Sequence, residues 1–309
     1  MLLVSDFQAD GNSALGKEKQ SMKRIRRLTL MAISTLFIAL TVSGTALAAS
    51  KYYVPVEGKM YRYEGKSWGK EAGKFTATFS KDGKLKKEEV YIGGVLERRV
   101  ENKWKGNYLT KSTKTSLLGH QPDTLIETVS YTYKNGKLSK SKNTMKTRRK
   151  TIDKSSTTCK WKKNKGTMTR SNGQKYSITL KKGRVSKAKE KDKKYNYTST
   201  YTYYGNYLMK KSSTKSDTAY KETKYNKYGL PVSEIEKSYI MNASGSVTFT
   251  YNWTIKNGVP KEVVVTRHHS PSDVDVIYKW VFTKTKQVSK LRNCDRYGHL
   301  TDIYISARY

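Results

Sequence analysis

The chain is short of acid. Its 25 Asp and Glu stand against 62 Lys and Arg, a formal charge of +37 at pH 7. A field of that size attracts polyanions and repels basic partners. Proline occurs 5 times, and no Ser/Pro-rich linker divides the chain after its first 48 residues, so one continuous domain is expected there. Phenylalanine (6) is scarce beside tyrosine (24), and hydrophobic residues reach only 36%, which argues against a thick two-layer core. Two cysteines, Cys159 and Cys294, cannot build a structural zinc site. In an exported chain they could form one long-range disulfide or stand as two half-buried thiols.

Catalytic signatures are missing too. GxSxG, HExxH, CxxC and a phosphate-cradling Gly-rich loop followed by Lys-Ser/Thr do not occur. A nucleophilic Cys159 or Cys294 would need His120 or His299, and the flanks TTCKWKK and RNCDRYG carry no recognisable pattern. Glu88, Glu89, Glu234 and Glu236 could supply paired carboxylates, but each lies on a lysine-rich strand where a surface ion pair explains it. RHHSPSDVD gathers His268, His269, Asp273 and Asp275. Adjacent histidines on a strand point to opposite faces, and the Ser-Pro-Ser turn accounts for the loop, so neither metal nor cofactor is expected. The protein reads as a non-enzyme.

The one long apolar run stands near the N-terminus. Lys23, Arg24, Arg26 and Arg27 precede Leu28 to Val42, and Ala46-Leu47-Ala48 follows as an A-x-A site. That order is a secretory signal peptide over 22–48, cleaved between Ala48 and Ala49. Residues 1–21 read as an over-extended start. Removing 1–48 deletes six cations and three acids from +37, leaving +34. The charge is uneven, since Lys134 to Lys194 holds 23 Lys and Arg against three acids.

What the chain has in abundance is hairpins. KFTATFSKDGKLKKEEV (74–90), ETVSYTYKNGKLSKSK (127–142), QKYSITLKKGRVSKAKE (174–190), TSTYTYYGNYLMKKSS (198–213) and VTFTYNWTIKNGVPKEVVV (247–265) share one plan. An alternating aromatic strand enters a Gly turn, then come Leu, Val or Pro and a lysine-bearing strand. Asn-Gly favours a two-residue type I′ turn. A simple ladder then sets Tyr133 against Leu138 and Tyr131 against Lys140, Ile178 against Lys187, Tyr176 against Lys189, Tyr201 against Lys210 and Trp253 against Glu262. Lysine stems lying over tyrosine rings can stabilise such a sheet. The expected fold is all-β: an extended antiparallel meander of repeated hairpins over 49–309, forming a large twisted or curved sheet, at most partly rolled, behind a helical signal peptide.

YNKYGLPV (225–232) and CDRYGHLTDI (294–303) resemble the YD repeats of Rhs-type secreted and surface proteins. Asp295, Gly298 and Leu300 match that spacing, and Tyr225, Gly229 and Leu230 follow it loosely. The resemblance implies extracellular structural or binding use and no reaction.

Charge and export together lead to a secreted or envelope-associated protein that binds anionic cell-wall or surface polymers, or an anionic membrane surface, with nucleic acid a lesser candidate. The expected binding residues are Lys140, Lys142, Arg148, Arg149, Lys162, Lys163, Lys181, Lys182, Arg184 and Lys187. Tyr131, Trp161, Tyr176 and Tyr201 are candidate stacking surfaces. One alternative is a lipid or small-ligand carrier built as a half-barrel, its concave face lined by Tyr131, Tyr133, Ile178, Leu180, Trp253, Ile255 and Trp280. Another is a structural or adhesive surface protein with no specific ligand.

Overall fold

The structure, a computed structural model, describes residues 52–118, 121–193, 195–240, 243–270, 274–295 and 297. The leading 1–21 stretch, the signal peptide over 22–48 and its Ala48/Ala49 cleavage site lie outside the described residues, as do His120, Asp273, Gly298, His299 and Leu300.

All regular elements among the described residues are strands. The first six are β1 (Tyr52–Tyr63), β2 (Trp68–Phe79), β3 (Leu85–Ile92), β4 (Val95–Lys105), β5 (Tyr108–Leu118) and β6 (Gln121–Lys134). There follow β7 (Lys137–Lys146), β8 (Thr151–Lys162), β9 (Lys165–Arg170), β10 (Lys175–Lys181), β11 (Arg184–Glu190) and β12 (Thr198–Gly205). The last are β13 (Leu208–Lys215), β14 (Ala219–Tyr225), β15 (Pro231–Ile240), β16 (Ala243–Lys256), β17 (Val259–Ser270) and β18 (Val274–Val288).

Each strand pairs antiparallel with the next, and β1 also pairs along β18, from Tyr52↔Val288 to Arg62↔Tyr278. The sheet closes on itself as an 18-stranded barrel. This overturns the expected open or partly rolled sheet. Closure removes the two exposed edges that an open meander would leave.

The hairpin turns alternate between two ends. Those after the even strands, such as Asn135-Gly136, Lys182-Gly183 and Asn257-Gly258, ring one mouth, here the near end. Asn135 (φ 50°) and Gly136 (φ 67°) both take positive φ, as a type I′ turn requires. The far rim is uneven: β9 to β14 have 6 to 8 residues, whereas β6 and β16 have 14 and β18 has 15.

A bulge beside the near-end turn changes the expected register in hairpin after hairpin. Tyr133 does face Leu138, but Thr132 faces Lys140 and Tyr131 faces Ser141. Likewise Ile178 faces Ala188, Tyr176 faces Glu190, Tyr201 faces Ser212 and Trp253 faces Val263. In the 198–213 unit the turn itself falls one residue later than Gly205-Asn206, at Asn206-Tyr207, so Tyr203 faces Met209. In three hairpins the extra residue is a hydroxyl carrier whose side chain bonds across the hairpin: Ser139 Oγ donates to the Thr132 carbonyl (3.0 Å), Ser186 Oγ to Thr179 (3.1 Å) and Thr110 Oγ1 to Lys103 (3.0 Å). In others it is a lysine, as at Lys86, Lys210 and Lys261. One inserted residue reverses the side-chain alternation beyond it. Lysines therefore stand opposite threonines on the outside, and tyrosines turn inward.

Inside, two apolar clusters fill much of the barrel. One joins β1, β2 and β3 to β16, β17 and β18, with Trp280 (1% exposed) packed edge-on against Phe75 at 5.6 Å. The other joins β7 to β14 and includes Cys159, Met168, Ile178, Met209, Cys294 and Tyr297. Aromatic donors lace neighbouring hairpins together. Trp104 Nε1 donates to Leu85 O (3.0 Å), Tyr133 Oη to Leu109 O (2.7 Å) and Trp161 Nε1 to Leu138 O (2.6 Å). Tyr203 Oη donates to Val185 O and Trp253 Nε1 to Pro231 O, both at 2.7 Å. Phenylalanine could fill these positions but could not make the bonds, which gives tyrosine's excess a structural reason.

After β18 the chain turns back across the near mouth. Ser289 N donates to Lys81 O (2.8 Å), and buried Arg292 bonds to Asp82 and Asn107 while its guanidinium lies over the Tyr207 ring at 4.2 Å. Tyr297 Oη reaches Gly136 O at 3.0 Å.

Candidate functional site: a basic outer face and a polar inner cavity

The expected binding residues divide between the two sides of one wall. Lys142, Lys162, Lys181 and Lys187 are exposed on the outer surface of β7 to β11, and half-buried Lys140 shares that face. Arg148 and Arg149 are exposed at the far-end turn after β7, and Lys163 and Lys182 at near-end turns. Arg184 is half-buried, donating to Gly205 O with its guanidinium 4.8 Å from the Tyr203 ring centre. The candidate stacking rings face the other way. Tyr176 (6% exposed) and Tyr201 (4%) belong to the inner cluster, against which Tyr131 and Trp161 pack. Burial pushes the Tyr176 hydroxyl up to about 12 and raises those of Tyr131 and Tyr201 as well. The lysines and the rings thus form no shared surface, because the bulge puts them on opposite faces.

The exposed face of β7 to β12 carries mostly lysine, threonine and serine, with Ile152 and Tyr204 also exposed, and no outward acid; Asp153 and Glu190 both take inner positions. Elsewhere several outer lysines have carboxylate partners. Lys59 meets Glu71 at 2.8 Å, Lys211 meets Glu222 at 2.6 Å and Lys284 meets Glu57 at 3.0 Å.

The inner face changes character along the barrel axis. Near the turns it is aromatic and aliphatic; toward the far rim it becomes polar and charged. Lys221 sits there with Glu234 (2.8 Å) and Glu236. Burial alone would lower its ammonium, but the two carboxylates outweigh that and raise it. Glu88, fully buried, lies 3.8 Å from Arg98. Of the carboxylates considered for catalysis, Glu89 makes outer ion pairs with Lys87 (3.1 Å) and Arg99 (2.6 Å), and the other three belong to these interior pairs.

Inside the low part of the far rim, β7, β8 and β9 frame a cavity of about 460 Å³. Its lining includes Ser141, Asn143, Asp153, Lys154, Ser155, Thr157 and Arg170. A second hollow of about 550 Å³ lies along β1, β2 and β18. Nothing in the sequence marked the first as a site. Ser141 and Asn143 come inside only because the bulge at Ser139 reverses the alternation.

Cys159 and Cys294 are not joined by a disulfide in this structure; both are buried in the second cluster, and burial pushes Cys159 up to about 11. His268 Nδ1 lies 2.9 Å from Asp275, while His269 takes the inner face opposite Val247. Among the described residues no three His, Cys, Asp or Glu side chains converge as a metal site.

No family model and no curated protein matches the chain. Solved structures similar to it include a porin-like protein from Bacteroides uniformis, at 12% identity and TM-score 0.32, covering 56% of this chain and 96% of that one. A porin-like protein from Bacteroides vulgatus has 9% identity and TM-score 0.31, covering 74% of this chain and 99% of that one. A structure described as TcdB2-TccC3-TEV has 11% identity and TM-score 0.30, covering 78% of this chain and 14% of that one. Likeness at this level defines neither a family nor a ligand. The strand pairing itself defines the class: a closed, all-antiparallel 18-stranded barrel.

Proposed function

We propose that this is an exported, non-enzymatic barrel protein of the cell envelope that docks on anionic surface polymers through the lysine-bearing wall of β7 to β12. The observation that carries this reading is the absence of any outward acid on those strands, where Lys142, Lys160, Lys162, Lys175, Lys181 and Lys187 stand exposed. Lysines without neighbouring carboxylates keep their counterions loosely and exchange them for a polyanion, which makes binding steeply salt-dependent. The YD-like turns at 225–232 and 294–303 agree with a secreted surface protein. A barrel that spans a bilayer needs an outward apolar band about 25 Å tall. On β7 to β12 lysine, threonine and serine dominate the exposed positions, with Ile152 and Tyr204 as isolated exceptions, so contact with an anionic membrane would be made at the headgroups. The lining expected of a lipid carrier is less available: Ile178, Leu180 and Trp280 are buried in the packed clusters, and Tyr133 and Trp253 are hydrogen-bonded to the wall.

The test is retention of the mature chain on purified cell walls and on polyphosphate across a salt series. Retention should fall steeply with salt and vanish near 1 M, where the Debye length is ~3 Å. Lys142→Glu, Lys162→Glu and Lys187→Glu together should weaken it by at least about tenfold, whereas three reversals among the paired lysines of other strands should not. Retention indifferent to salt would sink the proposal.

A further inference from the structure

The polar cavity inside the far rim is independent of the outer wall, and its chemistry differs. Ser141, Thr157 and Arg170 lie side by side across β7, β8 and β9, with Asn143 and Ser155 paired in the next inner row toward the rim. Asn143 is 6% exposed, and its Oδ1 has no hydrogen-bond partner among the described residues. A buried amide oxygen without a donor is costly and marks a place where a ligand or water supplies one. Ser141 (2% exposed) and Thr157 (5%) add buried hydroxyls that can donate or accept. Asp153 contributes an acceptor and Arg170 a donor held by Gln174 at 3.3 Å, its guanidinium 5.3 Å from the Tyr176 ring centre.

We infer that this cavity, of about 460 Å³, binds a neutral polyhydroxylated ligand of the size of a mono- or disaccharide. Its volume falls within the roughly 300–1,000 Å³ of ordinary small-molecule sites. The donor and acceptor pattern selects the class. Asn143 Oδ1 and the Asp153 carboxylate both need protons from the ligand, which a fully ionised phosphate or sulfate cannot give and a sugar hydroxyl can. The same hydroxyls accept from Arg170, from the Asn143 NH₂ and from the serine and threonine side chains. Asp153 against Lys154 and Arg170 leaves the lining one formal positive charge, so the preference for a neutral ligand rests on the two acceptors and not on charge balance. The short strands β9 to β14 lower the rim beside the cavity, which gives the ligand a way in.

The mature chain is titrated calorimetrically with glucose, N-acetylglucosamine, maltose and cellobiose, and with inorganic sulfate as the anionic counter-probe. Saturable one-to-one binding of at least one sugar is expected, with no uptake of sulfate at this site. Asn143→Leu and Asp153→Ala should each weaken that binding by about tenfold or more. Both variants should keep wild-type retention on polyphosphate, which separates this inference from the proposal for the outer wall. If Asn143→Leu fails to fold, as judged by circular dichroism, exposed Asp153→Ala carries the test. Failure of all four sugars to saturate the protein, sulfate binding in their place, or sugar binding unchanged in the folded variants would each overturn the inference.

Discussion

Asn293 does with one side chain what a strand edge does with its backbone. Its Oδ1 accepts from the Met209 N–H at 2.7 Å, and its NH₂ donates to the carbonyls of Met209 (3.3 Å) and Gly229 (3.2 Å). All three bonds are buried, so Asn293→Ala should leave the Met209 N–H unsatisfied and cost about 1–3 kcal/mol, read as a lower urea midpoint at unchanged slope. Glu222 gives a second case. Burial would raise its carboxyl, but hydrogen bonds from Lys211, Tyr220 and Lys224 outweigh that and hold it at about 2 instead of 4.5. The stability that Glu222 contributes is therefore complete above pH 4.5 and is lost as pH falls toward 2. Lys211 and Lys224 are 40% and 50% exposed, so solvent screening limits the effect to on the order of 1–2 kcal/mol. Chemical denaturation between pH 6 and pH 2 should show that loss, and Glu222→Gln should flatten this part of the profile.

Among the elements, the repeated unit is a hairpin with a bulge and a tether. Removing one tether hydroxyl, as in Tyr203→Phe, frees the Val185 carbonyl and should cost about 1 kcal/mol, while Ser186→Ala should cost a similar amount by stripping the bulge of its cross-strand bond. Thermal or urea denaturation of the two single variants and the double variant would also show whether bulge and tether act independently. The strands and near-end turns were legible in the sequence because Asn-Gly and Lys-Gly have a direct conformational meaning. Tyr133 opposite Leu138 follows from the turn alone. The lysine opposite Tyr131 does not, because Ser139 reads as an ordinary strand residue. A signal was present in the hydroxyl that follows the apolar residue in GKLS and GRVS. Missing it inverted the outer half of those two hairpins and hid Ser141 and Asn143 among the solvent-facing positions, while in the hairpins bulged at Lys86, Lys210 and Lys261 the sequence carries no such hydroxyl.

At the scale of the molecule, the ring itself was illegible. Nothing local in YYVPVEGKMYRY or VDVIYKWVFTKTKQV announces that the two pair, since closure depends on the summed twist and curl of all the strands between them. Proline at Lys59, which stands opposite Val281 in the seam, would remove a backbone N–H and disturb the register there. Lys59→Pro should expose unpaired edges of β1 and β18 and shift the protein toward larger species on size-exclusion chromatography with light scattering. The same proline at Lys66, in the turn between β1 and β2 and outside the ladder, should leave the elution volume nearer to wild type.

Seventeen of the eighteen joins in the ring link strands that follow one another along the chain, and one does not. A chain that emerges N-terminus first can zip each hairpin onto the last, a sequence of small loop closures that needs no distant partner. The join between β1 and β18 must wait until almost everything else has emerged. Throughout that interval β1 is a finished strand with a bare edge, so the time between its arrival and that of β18 is the period in which a neighbouring molecule could take its place.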